Sequence, residues 1–171
     1  MAKALELIRD KGPDGFYKGD MADAMIHAVQ NAGGVMTQAD LDGYQPWEES
    51  AVSGTYRGYT IASSNSPSSG GTFIVETLNI LENLPVYEFN TVEYWHQLAE
   101  VQKMVWADRG QYMGDTRFVD VPIDGIISKE YAKTLANKVD MTKSQDFSYG
   151  NPWDYETESQ NTTSFSVADK A

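Results

Sequence analysis

A chain of 171 residues, 41% of them hydrophobic, has enough apolar material for one packed core and too much for a disordered composition. Its formal net charge of −12 opposes nucleic-acid phosphates and anionic membrane surfaces, so neither nucleic-acid binding nor membrane insertion is expected. There is no cysteine, which removes disulfides, thiolate catalysis and cysteine-ligated zinc.

Residues 2–11 predict a helix with Ala4, Leu5, Leu7 and Ile8 on one face, stopped by Gly12-Pro13. This N-terminus has no apolar core with a cleavage site, so any export signal is expected upstream. A second helix starts at Asp20, with Met21, Ala24, Met25, Ala28 and Val29 inward, and ends at Gly33-Gly34. Thr37 caps a short helix with Asp40 near its positive end. Residues 50–63 turn to Thr, Tyr, Val and Ile around Arg57-Gly58 and predict a hairpin. After the loop NSPSSGG a helix follows over about 69–83. Its expected face is Ile74, Leu78 and Leu81, flanked by Phe73, Thr77, Ile80 and Leu84.

Asn90 and Glu93 read as a capping box for the longest helix, 91–112, and Ser128 as the cap of another over 129–138. From Met141 to Asn161 the chain is polar and aperiodic and predicts an exposed linker. Phe165 and Val167 then alternate with small residues as a last strand. The class is α+β: mainly helical, with one hairpin and a C-terminal strand.

Each chemical motif has a structural counterpart. SPSSGG (66–71) opens a helix as an anion site would, but it lacks a phosphate-loop lysine and reads as a helix start with small residues for close packing. His96 and Glu100 share a helix face, yet a catalytic zinc needs a third protein ligand, so they read as a surface pair; His27 stands alone. Asp108, Arg109, Asp115 and Arg117 read as arginines tying a helix end to a loop rather than as an acid/base set. Trp95, Trp106, Tyr112 and Phe118 read as core. The acidic run from Asp146 to Glu158 has no EF-hand spacing. Asn161-Thr162-Thr163 matches a glycosylation sequon, relevant only to a secreted eukaryotic chain. Thr162 itself is a poor nucleophile inside a chain. As a first residue it becomes effective, because its own α-amine then serves as base.

The motifs in order are GPDGFYKGDMADAM, AGGVMTQADLDGYQ, SGTYRGYTI, PSSGGTFIVETLNILEN, ADRGQYMGDTRFVDVPIDG and NTTSFSVAD. Together they resemble the gamma-glutamyltranspeptidase family. The resemblance implies an N-terminal-nucleophile hydrolase precursor that cuts itself into large and small subunits, which together complete an αββα sandwich. It implies that residues 1–161 are the C-terminal part of the large subunit and 162–171 the first strand of the small one. Asn161 and Thr162 would flank the processing site, and Thr162 would be the catalytic nucleophile on glutathione or another gamma-glutamyl compound. No metal or organic cofactor is implied, and the parent is expected to be periplasmic or secreted. Ser164 departs from the family, where many members carry His, and the groups that bind glutamate and the oxyanion do not map onto this chain. Within the family, a cephalosporin-type acylase and a poly-gamma-glutamate capsule depolymerase are alternatives. Outside it stands a non-catalytic helical interaction module.

Overall fold

The computed structural model describes residues 2–156, so the expected last strand and the pair Asn161–Thr162 lie outside the described residues. The chain divides into two compact units, residues 1–48 and 49–171.

The first unit is helical. It comprises α1 (Ala2–Lys11), α2 (Asp14–Tyr17), α3 (Asp20–Asn31) and α4 (Gln38–Asp42). Its core is Ala22, Ile26 and Leu41, with Tyr17, Met25 and Met36 packed around them. The buried face of α3 therefore turns on Ala22 and Ile26, and the expected Ala24 and Ala28 are exposed. On α1 only Ala4 and Leu7 are half-buried, while Leu5 and Ile8 remain exposed. Thr37 and Asp40 form the expected reciprocal cap of α4: the Thr37 amide donates to Asp40 Oδ2 at 2.7 Å.

The second unit holds the larger core. Its elements are β1 (Val52–Tyr56), β2 (Tyr59–Ser63), α5 (Ser69–Glu82), α6 (Val92–Tyr112), α7 (Ile123–Ile126), α8 (Lys129–Ala136) and a 3-10 turn at Pro152–Tyr155. β1 and β2 pair antiparallel, from Val52 opposite Ser63 to Tyr56 opposite Tyr59. Arg57 (φ 48°) and Gly58 (φ 85°) both adopt positive φ, as a two-residue turn matched to strand twist requires. A two-stranded ribbon is marginal by itself. Here it lies on α5, and Glu82 fastens it: one oxygen accepts from the Arg57 amide at 2.6 Å and the other from Lys129 Nζ at 2.5 Å.

Helix α5 contacts both strands and α6, α7 and α8. Its buried residues are Gly71, Thr72, Phe73, Val75, Glu76, Asn79 and Ile80, so the expected face was rotated: Ile74 is exposed and Leu78 half-buried. Three polar side chains on successive turns, Thr72, Glu76 and Asn79, are buried inside the unit. The cap of α6 is Thr91 rather than Asn90. Its side chain accepts from the Tyr94 amide, while Asn90 sits at φ 69° and accepts from Trp95 Nε1. Ser128 caps α8 as expected, accepting from the Tyr131 amide at 3.1 Å. Phe73, Ile80, Val101, Met104, Val105, Ile126, Tyr131 and Leu135 form the centre of the core.

The SPSSGG turn works by close packing. A Cβ on Gly71 would stand 2.2 Å from the Ser64 carbonyl oxygen and 2.7 Å from Val52 Cγ1. Gly71→Ala is therefore expected to lower stability by about 1–3 kcal/mol, as overpacking does, with the loss read by denaturant unfolding.

Candidate functional site

The segment of residues 144–156, which precedes Thr162 in the chain, is fastened at three points in the second unit. First, Glu100 of α6 is almost fully buried and receives the Gln145 amide (3.0 Å), Ser144 Oγ (3.2 Å) and Lys103 Nζ (2.7 Å). Lys103 also donates to the Gln145 carbonyl at 2.9 Å. Burial pushes the Glu100 carboxyl up, but the Lys103 ammonium and the Gln145 amide outweigh it and hold the carboxyl below its ordinary range.

Second, Asp108 accepts the Gly150 amide at 2.7 Å on one oxygen and the Tyr131 hydroxyl at 2.5 Å on the other. Tyr112 closes the same turn by donating its hydroxyl to the Gly150 carbonyl at 2.7 Å. Position 150 leaves no room for a side chain, since a Cβ would fall 2.0 Å from the Tyr131 hydroxyl oxygen. Third, Glu156 Oε1 accepts the Gly125 amide at 2.9 Å, and Gly125 lies so close to Pro152 that a Cβ there would meet the Pro152 carbonyl oxygen at 2.0 Å. Tyr155 packs on Tyr131 with ring centroids 5.4 Å apart. Residues 141–151 have no helix or strand and many exposed side chains, yet their backbone is tied to the core.

Behind Asp108 stands Glu76, with no exposed surface. As an ionised group it has no hydrogen-bond partner; protonated, it donates to Asp108. Burial raises its pKa well above the usual carboxyl value, and the negative charge of Asp108 raises it further. Glu76 is therefore held toward its protonated form beside Asp108. Burial and the bond to Asp108 likewise push the Tyr131 phenol up, so it remains a donor. Thr72 Oγ1 and Asn79 Oδ1, on the same stripe, have no partner among the described residues.

Other expectations change. His96 and Glu100 do not form a surface pair: Nε2 of His96 donates to the Asp140 carbonyl at 2.9 Å, and Glu100 is occupied as above. No group of three or more metal-capable side chains occurs among the described residues. Arg117 does hold Asp115 through two nitrogens, but Arg109 donates to Ser69 Oγ at 3.1 Å and lies over the Trp106 ring, and Asp108 is a buried anchor. Of the four aromatics read as core, Trp95, Trp106 and Phe118 are 50%, 60% and 81% exposed, and only Tyr112 packs on the core. The burial of Glu76 was the signal that sequence reading missed. A lone Glu in an apolar helix, three positions before Asn79 of the LNILE motif, gives no partner until Asp108 is placed beside it.

The sequence model of the gamma-glutamyltranspeptidase family matches residues 1–171. A glutathione hydrolase proenzyme of Escherichia coli (strain K12) is 42% identical over 173 residues, covering 99% of this chain and 30% of the relative. An Acylase ACY 1 proenzyme of Pseudomonas sp. (strain SE83) is 35% identical over 170 residues, with 98% and 30% covered. The crystal structure of Helicobacter pylori gamma-glutamyltranspeptidase superposes with a TM-score of 0.73 at 34% identity, over 94% of this chain and 47% of that one. The chain belongs to the gamma-glutamyltranspeptidase family, and it spans about a third of the length of the curated relatives it matches. No helix among the described residues is long and apolar enough to cross a membrane.

Glu76 gives the fold a pH dependence of defined sign. A carboxyl whose native pKa is raised contributes most below the ordinary carboxyl range. That contribution is lost as pH rises through this range toward the raised native value, by at most about 1.4 kcal/mol per pH unit. Glu76→Gln keeps a hydrogen-bond donor and removes the titration. Thermal unfolding between pH 4 and 8 is expected to show a smaller fall in Tm with pH for the variant than for the wild type.

Proposed function

We propose that this chain is the part of a self-processing gamma-glutamyltransferase/hydrolase precursor that carries the cleavage point between Asn161 and Thr162. The observation that carries this reading is the extent of the family match, which runs to residue 171 and so includes NTTSFSVAD. Residues 1–161 would then be the C-terminal part of the large subunit, and 162–171 the first strand of the small one. The hairpin and helices would belong to an αββα sandwich completed by the rest of both subunits. The parent would be periplasmic or secreted.

In this reading the Thr162 hydroxyl oxygen bonds to the Asn161 carbonyl carbon. The C–N bond breaks, the hydroxyl proton passes to the departing nitrogen, and an ester remains. Water hydrolyses the ester to the Asn161 carboxylate and restores the Thr162 hydroxyl beside a free α-amine of pKa about 8. That amine takes the hydroxyl proton as Thr162 attacks the gamma-glutamyl carbonyl of a glutathione-like donor, and returns it to the leaving amine. Water, an amino acid or a dipeptide then accepts the glutamyl group. Tight anchoring of residues 145, 150 and 156 supports the reading, because attack by a side chain on its own preceding carbonyl needs a held backbone.

A second reading, a cephalosporin-type acylase with the same nucleophile, is favoured by the 35% identity to an acylase proenzyme. Hydrolysis of gamma-glutamyl and of cephalosporin amides by the processed parent separates the two.

The full-length precursor is expected to give two fragments split at Asn161–Thr162 by intact mass, and Thr162→Ala one uncut chain. An uncut wild type would leave a non-catalytic module as the reading. The chain of residues 1–171 alone, without the groups that bind glutamate and the oxyanion, is expected to show no gamma-glutamyl transfer.

A further inference from the structure

We propose that Asp108 is a positioning residue for self-cleavage, fixing Gly150 and, through Tyr131, the Pro152–Tyr155 turn, which precede Asn161–Thr162 in the chain, with Glu76 holding Asp108 in place through a donated hydrogen bond. This rests on the processing reading above. The geometry argues for it on three counts. Asp108 spends one oxygen on a backbone amide of the leading segment and the other on Tyr131, whose ring carries Tyr155 of the same segment. Both faces of that segment are therefore set by a single carboxylate. Glu76 is fully buried with no partner for an ionised carboxylate, and in the protonated form it donates to Asp108.

Gly150 approaches the Tyr131 hydroxyl and Gly125 approaches Pro152 so closely that neither position has room for a Cβ, which makes the seat close-packed. Five peptide units separate Glu156 from Asn161, a reach of at most about 18 Å, so the anchored points are near the scissile bond in the chain. A misplacement of about 1 Å is enough to slow an intramolecular attack roughly 100-fold. The role proposed for Asp108 is through the backbone it holds.

Two measurements on the full-length precursor test this. The rate of cleavage is followed by intact mass during refolding for the wild type, Asp108→Asn, Glu76→Leu and Glu76→Gln. Asn at 108 cannot accept both donors as the carboxylate does, and Leu at 76 removes the donor to Asp108. Both are expected to cleave about 10- to 100-fold more slowly. Glu76→Gln, which keeps a donor, is expected to cleave at the wild-type rate. Gly71→Ala, destabilised in a part of the core remote in sequence from this segment, is expected to fold less stably and still cleave at the wild-type rate. Amide exchange is then measured in the uncleaved Thr162→Ala precursor, where Asp108→Asn is expected to speed exchange at Gly150 and across 153–156. Cleavage of Asp108→Asn at the wild-type rate overturns the proposal, as does equal slowing in Gly71→Ala. Unchanged exchange overturns the anchor itself. A wild-type precursor that never splits overturns the processing reading, and the role in cleavage with it, while exchange still decides whether Asp108 anchors the segment.

Discussion

The second unit depends on one buried carboxylate. Asp108 joins three helices and the leading segment: it sits on α6, receives the Tyr131 hydroxyl of α8 and the Gly150 amide, and faces Glu76 of α5. A buried charge is costly unless its lone pairs are filled. Here a phenol, a backbone amide and a carboxylic acid fill them, so the network is satisfied as a whole or not at all. Its members have little independence. Removing the Tyr131 hydroxyl leaves an oxygen of Asp108 short of a donor, and moving Gly150 brings its backbone into the Tyr131 ring.

The other buried acid solves the same problem differently. Glu100 takes Lys103 as a counter-ion one helical turn away, and the same lysine reaches across to the Gln145 carbonyl. The pair can therefore hold a loop with both a donor and an acceptor of the same peptide region. Asp108 has a neighbouring buried acid, Glu76, instead of a cation. The consequence is opposite in sign: the Glu100 carboxyl is held below its ordinary range and Glu76 is driven above it. Two anchors on one helix, two turns apart, thus fasten successive points of the same segment by different electrostatics.

What was legible in the sequence was local chemistry. The Arg57-Gly58 turn, the Thr37/Asp40 box and the Ser128 cap need only their immediate neighbours, and each was read at its residue. The ordered run of motifs gave the family, which the match over the whole chain shows. The face of α5 was misread because apolar periodicity pointed to Ile74, Leu78 and Leu81, while the buried stripe includes Thr72, Glu76 and Asn79, whose partners come from remote positions. Trp95, Trp106 and Phe118 were misread because aromatic type alone does not encode burial: Trp95 donates to Asn90 and Trp106 carries Arg109 on its ring while both stay exposed.

The polar stripe on α5 raises the question of what it contributes, since apolar side chains of similar volume would pack there at least as stably. Apolar contacts are non-directional and tolerate small slips of one element past another. A carboxylate with two committed oxygens does not: the Gly150 amide has one position in which it donates to Asp108 while Tyr112 reaches the Gly150 carbonyl from the other side of the same residue. Both hydrogen-bonding groups next to Gly150 are thereby fixed, and the chain beyond can leave in only one direction. Glu156 then fixes a second point on the Gly125 amide. Two fixed points on a short segment define a direction as well as a place, which hydrophobic burial of Pro152 alone would not do. Asp108, with Glu76 of the stripe behind it, thus exchanges some stability for a defined path of the backbone.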